Sequence, residues 1–316
     1  MFFSTAATIF NAVFQLLLIS CAAGILVRRK MVSQAQIQSL SSVTITIFLP
    51  CLIISNVTSQ FNPATFALWW TLPLAGILLV LIGLALSALL FRMNPAKRQL
   101  LPLASMQNAV YIPLPIVKIL YPEQFDTYAL YIFLLVLGLT PILWSLGKVL
   151  ISGKDNTQIH WKDFITPPFV AIIISIFLVF TTIHTFLPSP VMGSIALLGQ
   201  ATVPMAIFVL GATLGSISLK NLPPVNDMVI VNMVKFVLVP AVVFAVLFQT
   251  GLYRTMPLFC ILVMIQASCP PATNLMLMVK NYGGDSQAIG SMMLIQHLAC
   301  ILALPLWLSL WQMATN

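Results

Sequence analysis

Ten long apolar runs joined by short connections make up nearly all of this 316-residue chain. Their cores lie at about 5–27, 36–58, 66–91, 99–119, 126–149, 164–186, 191–215, 226–249, 256–279 and 286–311. A membrane-crossing helix needs roughly 20 apolar residues. Each run is therefore read as one span, and the chain as an all-α polytopic membrane protein. Composition agrees, with 60% hydrophobic residues, 6% charged residues and a mean hydropathy of +1.05. The longest connection, around Lys148 to Lys162, is too short for a soluble domain. The first run starts at once and is long enough to span, so it reads as a retained helix, not a cleaved signal.

The net charge of +8 would suggest a nucleic-acid partner in a soluble chain. Here the cations sit in loops, and they sort by side. Eleven of the fourteen lie on one side: Arg28, Arg29, Lys30, Arg92, Lys97, Arg98, Lys148, Lys154, Lys162, Lys220 and Lys280. Lys118 and Arg254 lie on the other, and Lys235 falls within span 8. The positive-inside rule places the rich side in the cytoplasm and both termini outside. The bilayer is thus the expected partner and nucleic acid is not. The five cysteines (Cys21, Cys51, Cys260, Cys269 and Cys300) lie in apolar runs without paired spacing. They read as small buried hydrophobes, and neither a metal nor a cofactor is expected.

The loop Ser152 to Asp163 falls near the midpoint, with five spans on either side. An odd number per half forces the halves into opposite orientations, so two inverted repeats are expected, 1–153 and 159–316. The prolines match across them. Pro50 in span 2 answers Pro204 in span 7, and Pro113 with Pro115 in span 4 answers Pro270-Pro271 in span 9.

Such prolines break a helix. In hydrocarbon, irregular backbone is tolerated only where it is buried in protein or lines a cavity. Polar side chains crowd both breaks: Gln107 and Asn108 in span 4, Gln266, Ser268, Thr273 and Asn274 in span 9. Helices that restart there expose unpaired N–H groups and a positive dipole end, a ready anion site. Spans 4 and 9 run oppositely, so both restarted halves are expected to aim at one point. The candidate substrate-binding residues are Gln107, Asn108, Tyr111, Pro113, Pro115, Gln266, Ser268, Pro270, Pro271, Thr273 and Asn274. Gln200 joins them from span 7. The amides suit a carboxylate, or else they satisfy carbonyls freed by the breaks. Lys235 is read as a charge at membrane depth that either snorkels or packs against freed carbonyls. His297 in span 10 is read as either a proton carrier or a satisfied neutral ring.

All six acids (Glu123, Asp126, Asp155, Asp163, Asp227 and Asp285) fall in loops or at span ends. Membrane carboxylates are the usual carriers of protons and sodium. Transport driven by the substrate gradient and the membrane potential is therefore expected over ion coupling.

Several stretches resemble the auxin efflux carrier family of membrane transporters, which includes bacterial carboxylate permeases and plant PIN-like exporters. They are Phe48-Leu-Pro-Cys-Leu-Ile in span 2 and Asn108-Ala-Val-Tyr-Ile-Pro-Leu-Pro115 in span 4. Gly199 to Leu214 in span 7, Lys235-Phe-Val-Leu-Val-Pro240 in span 8 and Ala267 to Asp285 complete the set. Span 4 departs from the family, which usually has glycines where this chain has Val110 and Pro113. The resemblance implies ten helices in two inverted five-helix repeats, with broken helices 4 and 9 crossing and substrate beside the crossing. It further implies a transport domain (helices 3–5 and 8–10) moving against a dimerising scaffold (helices 1, 2, 6 and 7).

The reading is a secondary transporter of a small organic anion, a carboxylate, working by elevator-type alternating access. The expected setting is a homodimer in the plasma membrane, a bacterial inner membrane. Two rivals stay open: a sodium- or proton-coupled organic-acid symporter of the bile-acid type, and a non-transporting sensor or assembly protein. An enzyme is not expected, because no nucleophile–base pair falls at membrane depth.

Overall fold

The computed structural model describes residues 2–152, 158–217 and 222–315. Lys154 and Lys220, which enter the charge count, and Asp155, one of the six acids, lie outside the described residues. So do residues 153 to 157, where the halves join. The apolar runs are helical, as backbone in hydrocarbon must satisfy its own hydrogen bonds. In order they are α1 (Phe2–Arg28), α2 (Gln34–Gln60), α3 (Thr71–Leu90), α4 (Leu101–Ser105), α5 (Pro113–Leu120) and α6 (Pro122–Ser152). There follow α7 (Pro167–Phe180), α8 (Ser189–Gly215), α9 (Val225–Gln249), α10 (Pro257–Ser268), α11 (Asn274–Tyr282) and α12 (Ser286–Thr315). Seven of these, α1, α2, α3, α6, α8, α9 and α12, are long and apolar enough to cross a membrane. The other expected spans differ for visible reasons. Span 6 is the shorter α7, and spans 4 and 9 are each cut in two at their prolines.

Contacts between segments far apart in sequence sort the loops into two ends. Arg28 Nε donates to the Gly215 carbonyl at 3.4 Å, and Lys97 Nζ pairs with Asp227 Oδ2 at 2.6 Å. Lys148 Nζ meets Asp163 Oδ2 at 2.6 Å. These contacts gather cation-bearing loops at one end, as the charge count expects. At the opposite end Asn56 Nδ2 donates to the Asp126 carbonyl at 3.0 Å, and Gln312 Nε2 to Tyr121 Oη at 2.9 Å.

Prolines inside the long helices leave marks. A proline clashes with the carbonyl four residues back and leaves it without a donor. Before Pro50 and Pro240 the helix widens into π turns, Thr44–Phe48 and Val234–Leu238. The carbonyl that Pro240 strands is that of Phe236, and Trp307 Nε1 donates to it at 2.8 Å. Pro204 instead interrupts α8, which turns at Ala201 between Gln200 and Thr202.

Glycines let pairs of helices touch backbone to backbone. A Cβ at Gly211 would stand 2.3 Å from Ser20 Cα, where α8 lies on α1. One at Gly138 would stand 2.1 Å from the Pro73 carbonyl oxygen, where α6 lies on α3.

Candidate functional site

The two breaks meet. After α4, Met106 is extended (φ −94°, ψ 107°), and after α10 so is Cys269 (φ −74°, ψ 150°). The extended stretches run antiparallel, with Gln107 opposite Pro271. The Asn108 N–H donates to the Pro270 carbonyl at 2.7 Å, and the Ala272 N–H to the Met106 carbonyl at 2.9 Å. Each break thus supplies the partners that the other lost, the requirement for irregular backbone at membrane depth. Side chains complete the repair. Gln266 Nε2 donates to the Ala109 carbonyl and Gln296 Nε2 to the Leu103 carbonyl, both at 3.0 Å. Asn108 Oδ1 accepts the Tyr111 N–H at 2.9 Å, pinning the turn that leads to α5.

Two amide donors are left over. Gln107 Nε2 and Asn108 Nδ2 are buried and have no partner among the described residues. Gln107 and Asn108 are 5% and 4% exposed. Both residues line a cavity of about 280 Å³. Ala272, Thr273 and Asn274 form its wall on the span 9 side, and neither the Thr273 nor the Asn274 N–H has a hydrogen bond among the described residues. Most of the remaining lining is apolar, including Leu49 of α2, Val80 of α3, and Val136, Leu143 and Trp144 of α6. Thr166, Pro167 and Pro168, just after the cation-bearing loop, extend the cavity towards the cation-rich end.

The crossing is less symmetric than the sequence suggests. Two restarted helices were expected to offer free N–H groups, and only α11 does. In the first turn of α5, Pro113 and Pro115 have no N–H. Those of Leu114 and Ile116 are taken by the carbonyls of Val110 and Ile112. The prolines that break span 4 also consume its donors, and side-chain amides stand in their place.

A chain whose apolar helices pair two breaks around a cavity has the layout of a membrane carrier. A model of the family described as membrane transport protein matches residues 8–159 and 154–308, nearly the whole length. The chain belongs to that family. Its recognition as the auxin efflux carrier family, made from spans 2, 4, 7, 8 and 9, is thereby upheld. A search of curated proteins finds no match.

Within this transport protein the expected residues separate into groups. Gln107, Asn108, Tyr111, Thr273 and Asn274 are brought together on the cavity. Pro113, Pro115, Pro270 and Pro271 shape the breaks without lining it, and Gln266 and Ser268 are fully buried behind it. Gln200 is not brought to the crossing. The turn at Ala201 leaves it exposed at the end of the first half of α8. Lys235 is 1% exposed, buried too deeply to snorkel, in a π turn that packs on the first half of span 9, and it does not line the cavity. His297 donates its Nδ1–H to the Met293 carbonyl at 2.7 Å. With Tyr111 it lines a smaller cavity of about 80 Å³ between α1, α5, α8 and α12.

Sequence reading missed Thr140, Trp144 and Thr166 as lining residues. A signal existed for Trp144 alone, an aromatic close after the helix-interior Pro141.

Proposed function

We propose that this transport protein carries a small organic anion, a carboxylate with an apolar body, by alternating access. One observation carries the reading: two residues that line the cavity, Gln107 and Asn108, each hold a buried amide donor with no acceptor. A buried donor without a partner costs about 1–3 kcal/mol, and a carboxylate answers both, together with the free N–H groups at the start of α11. The apolar lining suits the rest of such a molecule. The anion then needs no cation in the cavity wall.

The proposed architecture is ten spans in two inverted repeats, 1–153 and 159–316, and the two stretches of the family match fit it. The proposed scaffold is α1, α2, α7 and α8, and the moving unit is α3 to α6 with α9 to α12. Glycine packing supports this division. Gly199 against Leu52 and Gly211 against Ser20 lie within the scaffold, while Gly83 against Ser105 and Gly138 against Pro73 lie within the moving unit. Interlocked backbones resist sliding, so the motion falls between the units, in an elevator. The cavity extends towards the cation-rich end, which in this reading is cytoplasmic. A homodimer joined through the scaffold, in a plasma membrane such as a bacterial inner membrane, completes the proposal.

Thermal stabilisation of the purified protein by a panel of mono- and dicarboxylates tests it. At least one is expected to raise the midpoint, and Asn108→Ala and Asn274→Ala to abolish most of the rise. No stabilisation of the wild type, or a rise in both variants equal to that of the wild type, would overturn the placement of the site. Uptake into proteoliposomes at clamped potential is expected to be indifferent to sodium and proton gradients; dependence on either would favour the symporter.

A further inference from the structure

Lys235 is a buried cation that the anion site does not touch. It sits in the π turn Val234–Leu238 of α9, which packs on α3, α4, α10 and α12, all in the proposed moving unit. Of its neighbours, α10 ends at the break of span 9 and α12 carries His297 and Cys300. Among the described residues it has no hydrogen-bond or ion-pair partner. The described acids are engaged or distant: Asp227 pairs with Lys97, Asp163 with Lys148, Asp126 bonds Asn56, and Asp285 caps the start of α12. Glu123 stands at the first turn of α6. Cys269 is the residue before Pro270, whose carbonyl holds Asn108. The π turn that carries Lys235 packs on the helices that lead into both breaks, and Lys235 is not among the residues that line the cavity.

An ionisable side chain at membrane depth without a counter-charge is costly, and membrane proteins keep such groups for function. We infer that Lys235 is the fixed counter-charge of the moving unit and sets its preference for a monovalent anion. The inference rests on the carrier reading above. With a monoanion bound, the unit is neutral and crosses without work against the membrane potential. Empty, it carries one positive charge, so the potential acts on its return. Attraction through the low-dielectric core favours one negative charge over none, and a second would leave the unit charged and costly to desolvate.

The wild-type protein in proteoliposomes supplies the test, with labelled benzoate, phenylacetate and lactate as probes. Exchange with the same anion on both sides uses only the loaded step, whereas net efflux needs the empty return. Exchange is expected to be flat as a potassium diffusion potential is imposed, and net efflux to change by about threefold or more. Lys235→Met removes the charge but keeps the buried length. In it the dependence should move to exchange, while the melting temperature stays equal or rises, because a buried charge without a partner has been replaced by an apolar chain. Potential-dependent exchange in the wild type, or marked destabilisation of Lys235→Met, would overturn the inference and leave the carrier intact. If none of the three anions exchanges, the carrier reading itself fails, and this inference with it.

Discussion

Asn108 splits its side-chain amide between two tasks. Its oxygen holds the Tyr111 N–H at 2.9 Å, and its Nδ2 is left without a partner in a residue that lines the cavity. Asn108→Ala should therefore lower both the melting temperature and anion affinity, the latter about tenfold or more for one lost charge-assisted bond. Gln266 differs. Its Nε2 is spent on the Ala109 carbonyl and it lies outside the cavity wall. Gln266→Leu is expected to cost about 1–3 kcal/mol of stability. Trp307→Phe should behave similarly, because it strands the Phe236 carbonyl that Pro240 cannot serve. Chemical denaturation in detergent measures both, and an unchanged midpoint in either would contradict these assignments. In sequence the polar residues flanking the breaks look alike. Proline spacing was enough to find the crossing through Asn108 and Asn274. Which amide faces the cavity depends on which carbonyl lies opposite, and that pairing joins residues more than a hundred apart. Thr140 and Trp144 stayed hidden because the rotation of α6 is fixed by packing, not by its nearly uniform apolarity.

At the scale of elements, the prolines set where helices stop and the glycines set how closely they approach. The breaks of spans 4 and 9, the π turns before Pro50 and Pro240 and the turn before Pro204 all follow from the missing N–H and the ring clash. The breaks were legible from sequence. The loss of free donors at the start of α5 was legible too, had Pro113 and Pro115 been counted as missing N–H groups as well as breakers. Gly138→Ala places a methyl 2.1 Å from the Pro73 carbonyl oxygen and should cost about 1–3 kcal/mol or more as α3 and α6 are forced apart. Gly193 has nothing within 4 Å of its virtual Cβ. Gly193→Ala should be neutral or stabilising by about 0.5–1 kcal/mol, from helix propensity alone. Equal effects of the two substitutions would show that backbone approach does not decide stability here.

For the whole molecule, the pairing of loops at the cation-rich end is the feature that pH can test. Lys148 Nζ holds Asp163 Oδ2 at 2.6 Å and lies 4.4 Å from the centre of the Tyr282 ring. The pair thereby ties the end of α6, the approach to α7 and the end of α11 together. Burial alone would push the Asp163 carboxyl up, but the Lys148 ammonium and the His160 N–H bring it below the usual carboxylate value. A lowered folded-state value means that the pair stabilises the fold fully above the unfolded carboxylate value, about 3.9. That stability is lost as pH falls through the folded value beneath it. The melting temperature of Asp163→Asn should thus lie below wild type at neutral pH, and the gap should close only below about pH 4. A gap that closes well above pH 4 would contradict this account of the pair. The two-ended arrangement of loops was legible from the Lys and Arg count alone, since loop charge is set by the membrane.

Equilibrium binding of labelled monocarboxylates to the purified protein tests the central claim most directly. One saturable site per chain is expected, weakened about tenfold or more in Asn108→Ala and unchanged in Gln200→Ala. Binding that is absent, or that ignores Asn108 and follows Gln200, would mean that the paired breaks of spans 4 and 9 do not form the anion site.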